Sequence, residues 1–493
     1  MAHLSGLKQQ DTIAFESLAY QDMAAKWELP DTLLGGTKAI RAADTTYLPR
    51  AVHERPQSYQ RRKARSFLFG AYKASLRRIV SKPFSKPITL SGIDLLPDQL
   101  EDIQDGAGPS GRNLDVLARE VFWEGVHRGL SHIFIDFPRV DGRLNLAQER
   151  DLAIRPYWVR ISPKDLIRWT SERGPDGRDR LTEIVTRETR VEKVGNYAEE
   201  RVEYIRISRA PMGGEAGTWE LHRKVDGSDT GWLLVEEDSH SYPGVPLVTF
   251  YTNQTGFMTA DPPMQDLAWL NLEHWQSSSD QSNILNVARV PILFRKGLDA
   301  AEDPENDGEV PVGPNDFTAT NNPEADMKYV EHSGRAIASG EQSIDKIEQR
   351  MELLGMRPFV ERTGGQTATG KAIDTSETDT DVRAWAREMG DVIEAAYRVS
   401  ATWVNEELHE DFKAELHADF GINLRGTEDV KTLLAMRVAG ELTREAYYLE
   451  LKRRGFMGMH FDPEKEAELV AAEEPEVPPP AFGGEDDDED EAA

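Results

Sequence analysis

Apolar residues recur at helical spacing over a long stretch in the C-terminal third of the chain. They are separated by alternating steps of three and four residues, with six charged residues among the positions between them, so they share one face of a helix. Between Lys371 and His409 there is no proline and no glycine except Gly390. The pattern predicts one very long helix, about 55 to 60 Å at 1.5 Å per residue. Its apolar positions are Val382, Trp385, Met389, Val392, Ala396, Val399 and Trp403.

A first shorter helical pattern runs from Met264 to Val290, after two prolines. Its middle, 276–283, is rich in Ser and Asn, which are poor helix formers, so a loop remains an alternative there. If the segment is helical, these small side chains would let neighbouring copies approach closely. The inner positions expected for the helix are Leu267, Leu270, His274, Ile284, Leu285 and Ala288.

A second shorter pattern precedes the long helix. Gly355 and Pro358 are expected to end it, and 359–370, FVERTGGQTATG, reads as a polar loop held at both ends. Between the two shorter helices, 295–332 is dense in turn residues, with short strands expected at 311–312 and 328–330. The apolar positions of this second helix are Ile337, Ile344, Ile347, Met351 and Leu354.

The first half of the chain changes its hydrophobic period once. Up to about residue 150 the period is helical, with one helix expected from Asn113 to Gly129. From Ile154 six runs alternate at short spacing and predict a small antiparallel sheet or barrel. After the long helix, 427–455 reads as two short helices, the second capped by Thr443. The six alternating runs are IRPYWVRI, LTEIVTRET, RVEYIRIS, TWELHRKV, GWLLVEED and VPLVTFY.

Charge is unevenly distributed along the 493 residues, whose formal net charge is −29. Residues 50–86 carry eleven Lys and Arg against one acid, in a helical pattern whose apolar side faces away from Arg61, Arg65, Arg77 and Arg78. We expect these bases to meet acidic neighbours or another subunit rather than nucleic acid. Residues 462–493 carry fourteen acids and one base, a composition that predicts disorder.

Composition excludes several kinds of chemistry. The chain has no cysteine, which removes disulfides, thiolate metal sites and a cysteine nucleophile. There is no run of 18 apolar residues and no signal-peptide pattern, so a soluble, unexported protein is expected. No Gly-x-Ser-x-Gly elbow is present, and His409 and His417 lack the spacing of a helical zinc motif. We therefore expect no catalytic residue, metal or cofactor.

One motif comes close to a nucleotide site. Gly365–Lys371 reads GQTATGK, which has the glycine and lysine spacing of a phosphate-binding loop. The next residue is Ala372, so the hydroxyl that would bind magnesium is missing. No buried parallel strand is expected before it, and a flexible loop is the favoured interpretation.

The order of these parts resembles the portal proteins of tailed bacteriophages, in a family long described only as an uncharacterised phage domain. The resemblance covers most of residues 40–460, and it rests on the collinearity of several local matches. They are TTYLPR from Thr45, YQRRKARSFLFGAY from Tyr59, IVSKPF from Ile79, RPYWVRISPKDLIRW from Arg155, VPLVTFY from Val245, NVARVPILF from Asn286, TATGKAIDTSE from Thr367 and the closing ELTREAYYLELKRRGF.

The resemblance implies a mainly helical α+β portal fold: a wing of helices and a small antiparallel β domain, a two-helix stem, a clip, a long wing helix, a short helical crown and a disordered acidic tail. The implied parts are the helical wing 1–153, the β wing 154–262, the stem helices 263–290 and 336–356, the clip 291–335, the tunnel loop 357–370, the long wing helix 371–412, the crown 413–460 and the tail 461–493.

The resemblance also implies partners. The chain would form a homo-oligomeric, dodecameric ring at a capsid vertex of the virion, assembled in the host cytoplasm. The ring would pass double-stranded DNA during packaging and ejection, and would bind the large terminase, a head–tail adaptor, the major capsid protein and the scaffolding protein, with no membrane. The expected channel-lining or DNA-facing residues are Lys346, Arg350, Arg357, Arg362, Thr363, Gly364, Gly365 and Gln366, and those of the motor- or adaptor-binding clip are Asn306, Asp307, Val312, Asn315 and Asp316.

Alternatives remain open. The acids around Lys346 and Arg350 could instead pair with them at i to i+4 spacing on a solvated face. The chain could be an acidic scaffold or head–tail interaction protein without a DNA channel, a coiled-coil arm protein, or an NTPase built on the phosphate-loop-like motif.

Overall fold

The computed structural model describes residues 12–109, 111–138, 154–225, 231–289, 292–296, 323–324, 326–330, 335–355, 368–418, 420, 427–453, 456 and 465–466. The chain divides into two compact units, residues 1–420 and 421–493. Helices and antiparallel sheets are mixed in the first unit. None of the described helices is long and apolar enough to cross a membrane.

The helices, in chain order, are α1 (Leu18–Leu34), α2 (Gly36–Ala42), α3 (Pro56–Arg65), α4 (Ala71–Ser81), α5 (Asp98–Glu101), α6 (Leu114–Arg128), α7 (Gln265–Ala288), α8 (Arg335–Leu354), α9 (Ala368–Trp403), α10 (Thr427–Val438) and α11 (Arg444–Arg453).

The strands are β1 (Thr89–Ser91), β2 (Leu130–Asp136), β3 (Tyr157–Ile161), β4 (Leu166–Arg173), β5 (Asp179–Val194), β6 (Ala198–Arg209), β7 (Gly217–Lys224), β8 (Trp232–His240), β9 (Leu247–Tyr251), β10 (Gln254–Gly256), β11 (Thr259–Ala260), β12 (Ile292–Lys296), β13 (Asp326–Val330) and β14 (Lys413–Glu415).

The six alternating runs form strands as predicted, but they belong to two sheets rather than one. Strands β4 to β8 make a five-stranded antiparallel meander with β4 and β8 at its edges, so this sheet does not close into a barrel. Strands β3 and β9 pair with either side of β2 in a three-stranded sheet. The N-terminal helix α1 packs on the meander through Tyr20, Met23 and Trp27.

The prediction that residues 1–153 are mainly helical misses the short strand β1 and the longer strand β2. Six of the seven residues of β2 are buried, because helices and sheet cover both of its faces, and such a strand shows no alternation to detect. The preceding Gly129 ends α6 with φ +95. A Cβ at this glycine would lie 2.5 Å from the Asp261 carbonyl oxygen, so the turn from helix to strand requires glycine.

The apolar seam predicted for the long helix is confirmed. Val382, Met389 and Ala396 are fully buried in α9, in the same core as α6 and β2. Gly390 faces the Ala414 carbonyl oxygen so closely that a Cβ would overlap it. The helix spans 36 residues, about 54 Å at the standard rise.

The predicted end of this helix, at residue 412, is wrong: α9 ends at Trp403. Asn405 has φ +56, and the Glu406 N–H donates to the Ala401 carbonyl at 3.0 Å. A left-handed Asn with this bond closes the last helical turn as a C-cap. The chain then forms β14, which pairs with β1, so 413–415 belongs to the body and not to the C-terminal helical part.

A buried polar relay joins three helices of the body. His127 of α6 lies between the Tyr72 hydroxyl, 2.9 Å from Nδ1, and Asp31 Oδ1, 2.8 Å from Nε2. Burial lowers the pKa of His127, so the neutral ring accepts from Tyr72 and donates to Asp31. Burial raises the pKa of Asp31, but the His127 hydrogen bond and the charges of Arg128 and Lys164 outweigh it and hold that pKa below its usual range.

The C-terminal unit contains the two short helices predicted for it, α10 and α11. The Thr443 hydroxyl accepts from the Ala446 N–H at 3.2 Å, which confirms Thr443 as the N-cap of α11. The predicted disorder of the acidic tail concerns residues that, apart from 465–466, lie outside the described parts of the chain.

Candidate functional site: a helical hairpin with a β ribbon

Helices α7 and α8 form an antiparallel hairpin. His274 Nε2 lies 3.1 Å from Glu348 Oε1, and Gln281 Nε2 donates to the Ile337 carbonyl at 2.9 Å. Residues 274 and 348 therefore lie at the same height along the axis of the hairpin. Because the helices are antiparallel, each later residue of α7 lies at the height of an earlier residue of α8. The two helices are 24 and 20 residues long, about 36 and 30 Å.

Apolar side chains and one glycine hold the two helices together. Ile347 and Met351 of α8 are buried with Trp275 of α7 in the main core. At Gly340 an added Cβ would overlap the side-chain amide of Gln281. The glycine therefore allows Gln281 to reach the backbone of α8 and fixes the register of the hairpin.

The Ser- and Asn-rich middle of α7 is helical, so the loop alternative is wrong. Polar side chains in this stretch and just before it bind the body of the same chain: Gln276 donates to the Tyr47 carbonyl at 3.0 Å, and Asn271, earlier in α7, accepts from the Tyr72 N–H at 3.0 Å. Ser279 is buried against Ser66 at 2.8 Å. These three positions attach the hairpin to the body, and the close approach between copies suggested for this stretch stays a prediction.

Arg62 of α3 is the main ionic link between the body and α7. Its guanidinium donates to both carboxylate oxygens of Glu54 at 2.9 and 2.8 Å, to Asp280 at 3.0 Å and to the Pro49 carbonyl at 3.0 Å. Hydrogen bonds from Arg62 lower the pKa of Glu54, although burial opposes this. The expectation that the basic segment meets acidic neighbours is confirmed for Arg62.

A two-stranded ribbon lies between the hairpin helices in the sequence. β12 and β13 pair antiparallel, with Ile292 opposite Val330 and Lys296 opposite Asp326. The β13 strand contains the strand predicted at 328–330, whereas β12 was not predicted. Phe294 is exposed, and the Lys328 ammonium lies 5.8 Å from its ring centroid.

The structure describes only two of the predicted site residues. Lys346 and Arg350 are both exposed on α8, one turn apart. Residues Arg357, Arg362, Thr363, Gly364, Gly365 and Gln366 of the predicted tunnel loop, the predicted strand at 311–312, and Asn306, Asp307, Val312, Asn315 and Asp316 of the predicted clip lie outside the described residues.

The ion-pair alternative for Lys346 and Arg350 is wrong. The nearby acids are not three or four residues from either base, so i to i+4 pairs cannot form; they are Glu341, Asp345, Glu348 and Glu352. Within the described part of the chain neither base has an ion pair, and Glu348 instead contacts His274. The two bases stand at i and i+4 to each other and form one basic ridge.

Comparison with known proteins adds a family and two structures. Residues 263–404, which include α7, the ribbon, α8 and α9, match the model of a family described as "Domain of unknown function (DUF4055)". No curated protein sequence matches the chain.

The similar solved structures include a chain of the "Neck of empty GTA particle computed with C6 symmetry", 12% identical, with a TM-score of 0.41 over 87% of this chain and 97% of that one. Another is from the "Neck of native GTA particle computed with C12 symmetry", 13% identical, with a TM-score of 0.40 over 77% and 89%. Similarity at this level leaves function to be argued from the chain's own residues.

Residues 365–367 of the phosphate-loop-like motif lie outside the described residues, and the rest of the motif is helical. Ala368 to Lys371 already form the first turn of α9, whereas a phosphate loop places its helix after the loop that wraps the phosphates. The described element before it is a helix, α8, rather than a strand. Among the described residues no three carboxylates or histidines are grouped for a metal ion.

Sequence reasoning missed the exposed face of α7. Trp269 is 54% exposed, and it lies between the exposed acids Asp266 and Glu273. The three residues are spaced by three and four, so periodicity alone places this tryptophan on an acidic face and away from the core. They border an open cleft of about 700 Å³ that Leu354 of α8 also lines.

Proposed function

We propose that this chain is the subunit of a portal: a ring at a capsid vertex of a virus-like particle, through which double-stranded DNA passes during packaging and ejection. In this proposal the chain does no bond chemistry, and a separate motor, the large terminase, consumes the ATP. The ring would assemble in the host cytoplasm and would then be part of the virion.

The observation that carries the proposal is the hairpin. It is rigid, because its register is fixed by Gln281 and His274, and polar contacts between residues 271 and 280 of α7 attach it to the body. A stiff hairpin of about 30 Å, repeated around an axis, builds the wall of a tube. One of the local matches through which the sequence resembles portals, NVARVPILF from Asn286, begins in the last turn of α7.

The remaining parts take their roles from this arrangement. The body and α9 would be the wing that anchors the ring among capsid and scaffolding proteins, and α7 and α8 would be the stem. The ribbon and the segment between its strands would be the clip, which binds the terminase and later the adaptor. Residues 357–367 would form the tunnel loop, since the last three residues of the predicted loop, 368–370, belong to α9, and 427–460 would form the crown. That Lys346 and Arg350 face DNA stays a prediction.

The overall charge suits passage rather than tight binding. A surface that neutralised many phosphates would hold DNA through counterion release, whereas a chain with a net charge of −29 repels the duplex as a whole. DNA would then slide through a channel that makes only local contacts.

Electron microscopy of the purified chain tests the proposal. We expect rings with cyclic symmetry. Their central opening should be at least about 20 Å wide, which is the width of a DNA duplex. A variant lacking residues 291–334, with the helices joined by a short glycine linker, should still form rings but should not bind the terminase. Monomers or closed particles without a bore, at every concentration and with scaffold added, would contradict a conduit and favour an acidic interaction protein.

A further inference from the structure

The exposed face of α8 combines two bases with a leucine. Lys346, Arg350 and Leu353 follow one another at steps of four and three, so they lie in one ridge. All three are exposed, Leu353 to 80%. Like charges at i and i+4 destabilise a helix slightly, so within a single copy this ridge gives no stability.

The exposed face of α7 has the complementary character. Asp266 and Glu273 flank the exposed Trp269, and the cleft beside them is open. No ion pair among the described residues uses either of these acids. A basic and apolar partner would neutralise the acids and cover the indole.

The register of the hairpin puts the two faces at the same height. Since residue 274 is level with 348, Leu353 is level with Trp269, and Arg350 is one residue, about 1.5 Å, from the level of Glu273. Rotation about an axis parallel to the hairpin changes no heights. Arg350 of one copy would therefore lie near the height of Glu273 in the next copy, and Leu353 would lie at the height of Trp269.

We propose that the basic ridge of α8 docks on the acidic, tryptophan-bearing face of α7 in a neighbouring copy of this chain, with Arg350 paired to Glu273 and Leu353 packed against Trp269. This heterologous contact rests on the proposed ring and specifies what joins its subunits. This contact is the alternative to the prediction that Lys346 and Arg350 face DNA.

Charge reversal tests the contact on the full-length chain. Arg350→Glu and Glu273→Arg each place like charges together, so each should raise the protein concentration at half-assembly by at least about tenfold, measured by native mass spectrometry or sedimentation. The double variant Glu273→Arg/Arg350→Glu restores opposite charges and should assemble nearly as the unchanged chain does. Glu341→Arg and Lys73→Glu, exposed positions outside both faces, are matched controls and should not shift assembly.

The possible outcomes separate the two proposals. If the unchanged chain forms rings and both single reversals assemble equally well, the contact is overturned and the conduit is not. If Arg350→Glu leaves assembly intact but lowers DNA retention in particles, the ridge faces DNA and the contact is overturned. If both single reversals weaken assembly and the double variant does not recover, the pairing of Arg350 with Glu273 is wrong. If the unchanged chain forms no ring, both proposals fail together.

Discussion

At the scale of single residues, the body is organised by a few polar side chains that composition does not reveal. The sequence predicted the apolar seam of α9 because every third or fourth residue repeats one simple property. It could not predict that Arg62, among eleven bases in 50–86, is the buried one. Burial of a base depends on acids distant in sequence, here Asp280, 218 positions away.

Replacing Arg62 tests its role. Arg62→Lys keeps the charge but loses the planar fork that serves Glu54, Asp280 and Pro49 together, so it should lower the free energy of unfolding by about 2 to 3 kcal/mol. Arg61→Lys, at the exposed neighbouring position, should change it by less than about 0.5 kcal/mol. Urea unfolding of both variants gives the comparison, and equal effects would contradict the assignment.

Buried histidines make stability depend on pH. Burial lowers the pKa of His132 from 6.5 to about 3, so the unfolded chain takes up a proton below pH 6.5 that the folded chain does not, and stability falls as pH falls from there towards 3. For this one group the loss between pH 7.5 and 5.5 is about 1.4 kcal/mol. His127 adds a loss in the same direction, whereas the lowered pKa of Asp31 acts only below about 3.8.

Unfolding at the two pH values checks this. His132→Leu should unfold more easily at pH 7.5, because the Thr249 hydroxyl loses one of its two partners, the His132 ring at 3.0 Å, yet it should show a smaller drop in stability on acidification. His53→Leu, at an exposed position, should keep the full drop. If His132→Leu leaves the pH dependence of stability unchanged, the His132 ring of the original chain takes up its proton in the folded state as readily as in the unfolded state.

At the scale of elements, the sequence predicted what periodicity and caps encode. The predicted bounds of α6, Asn113 and Gly129, are its two cap residues in the structure, because both ends carry local signals. Strand β2 was missed because it is buried on both faces, and the end of α9 was missed because an Asn in a left-handed conformation, unlike Gly, is rarely a clear stop signal. An element or a helix end that is determined by tertiary contacts cannot be recognised from the local sequence pattern.

The junction between α6 and β2 gives a sharp prediction. Gly129→Ala must accept a positive φ and also a Cβ 2.5 Å from the Asp261 carbonyl oxygen, so we expect a loss of about 3 kcal/mol or more. Gly177→Ala has a similar positive φ, +77, with nothing within 4 Å, and should cost about 1 kcal/mol. Thermal unfolding compares the two, and equal costs would show that backbone conformation alone matters.

At the scale of the whole molecule, charge opposes the assembly that we propose. Residues 461–493, with fourteen acids and one base, contribute thirteen of the 29 net negative charges. Neighbouring copies repel one another at low ionic strength, and salt screens this repulsion over a Debye length of about 10 Å at 0.1 M. The sequence predicted this term fully, because net charge needs no structure, but it could not predict the levels at which α7 and α8 match.

Removing the tail should ease assembly. A chain ending at residue 460 should form rings at lower salt than the full chain, and a chain with the fourteen acids changed to Gln or Asn should behave in the same way, since charge and not length is the cause. Sedimentation between about 0.05 and 0.5 M salt measures the shift. Identical salt dependence in all three chains would show that the tail charge does not act on assembly.

The pairing of β14 with β1 has a consequence for synthesis of the chain. Thr89 meets Glu415, and the core around α4 and α6 is completed by α9, so the body cannot close until the ribosome has made more than four-fifths of the protein. At about 5 to 20 residues per second, the earlier helices wait many seconds with their apolar faces uncovered. Nascent chains halted before residue 400 should be cut readily by protease within 71–136, and the cell's chaperones have this interval in which to bind them.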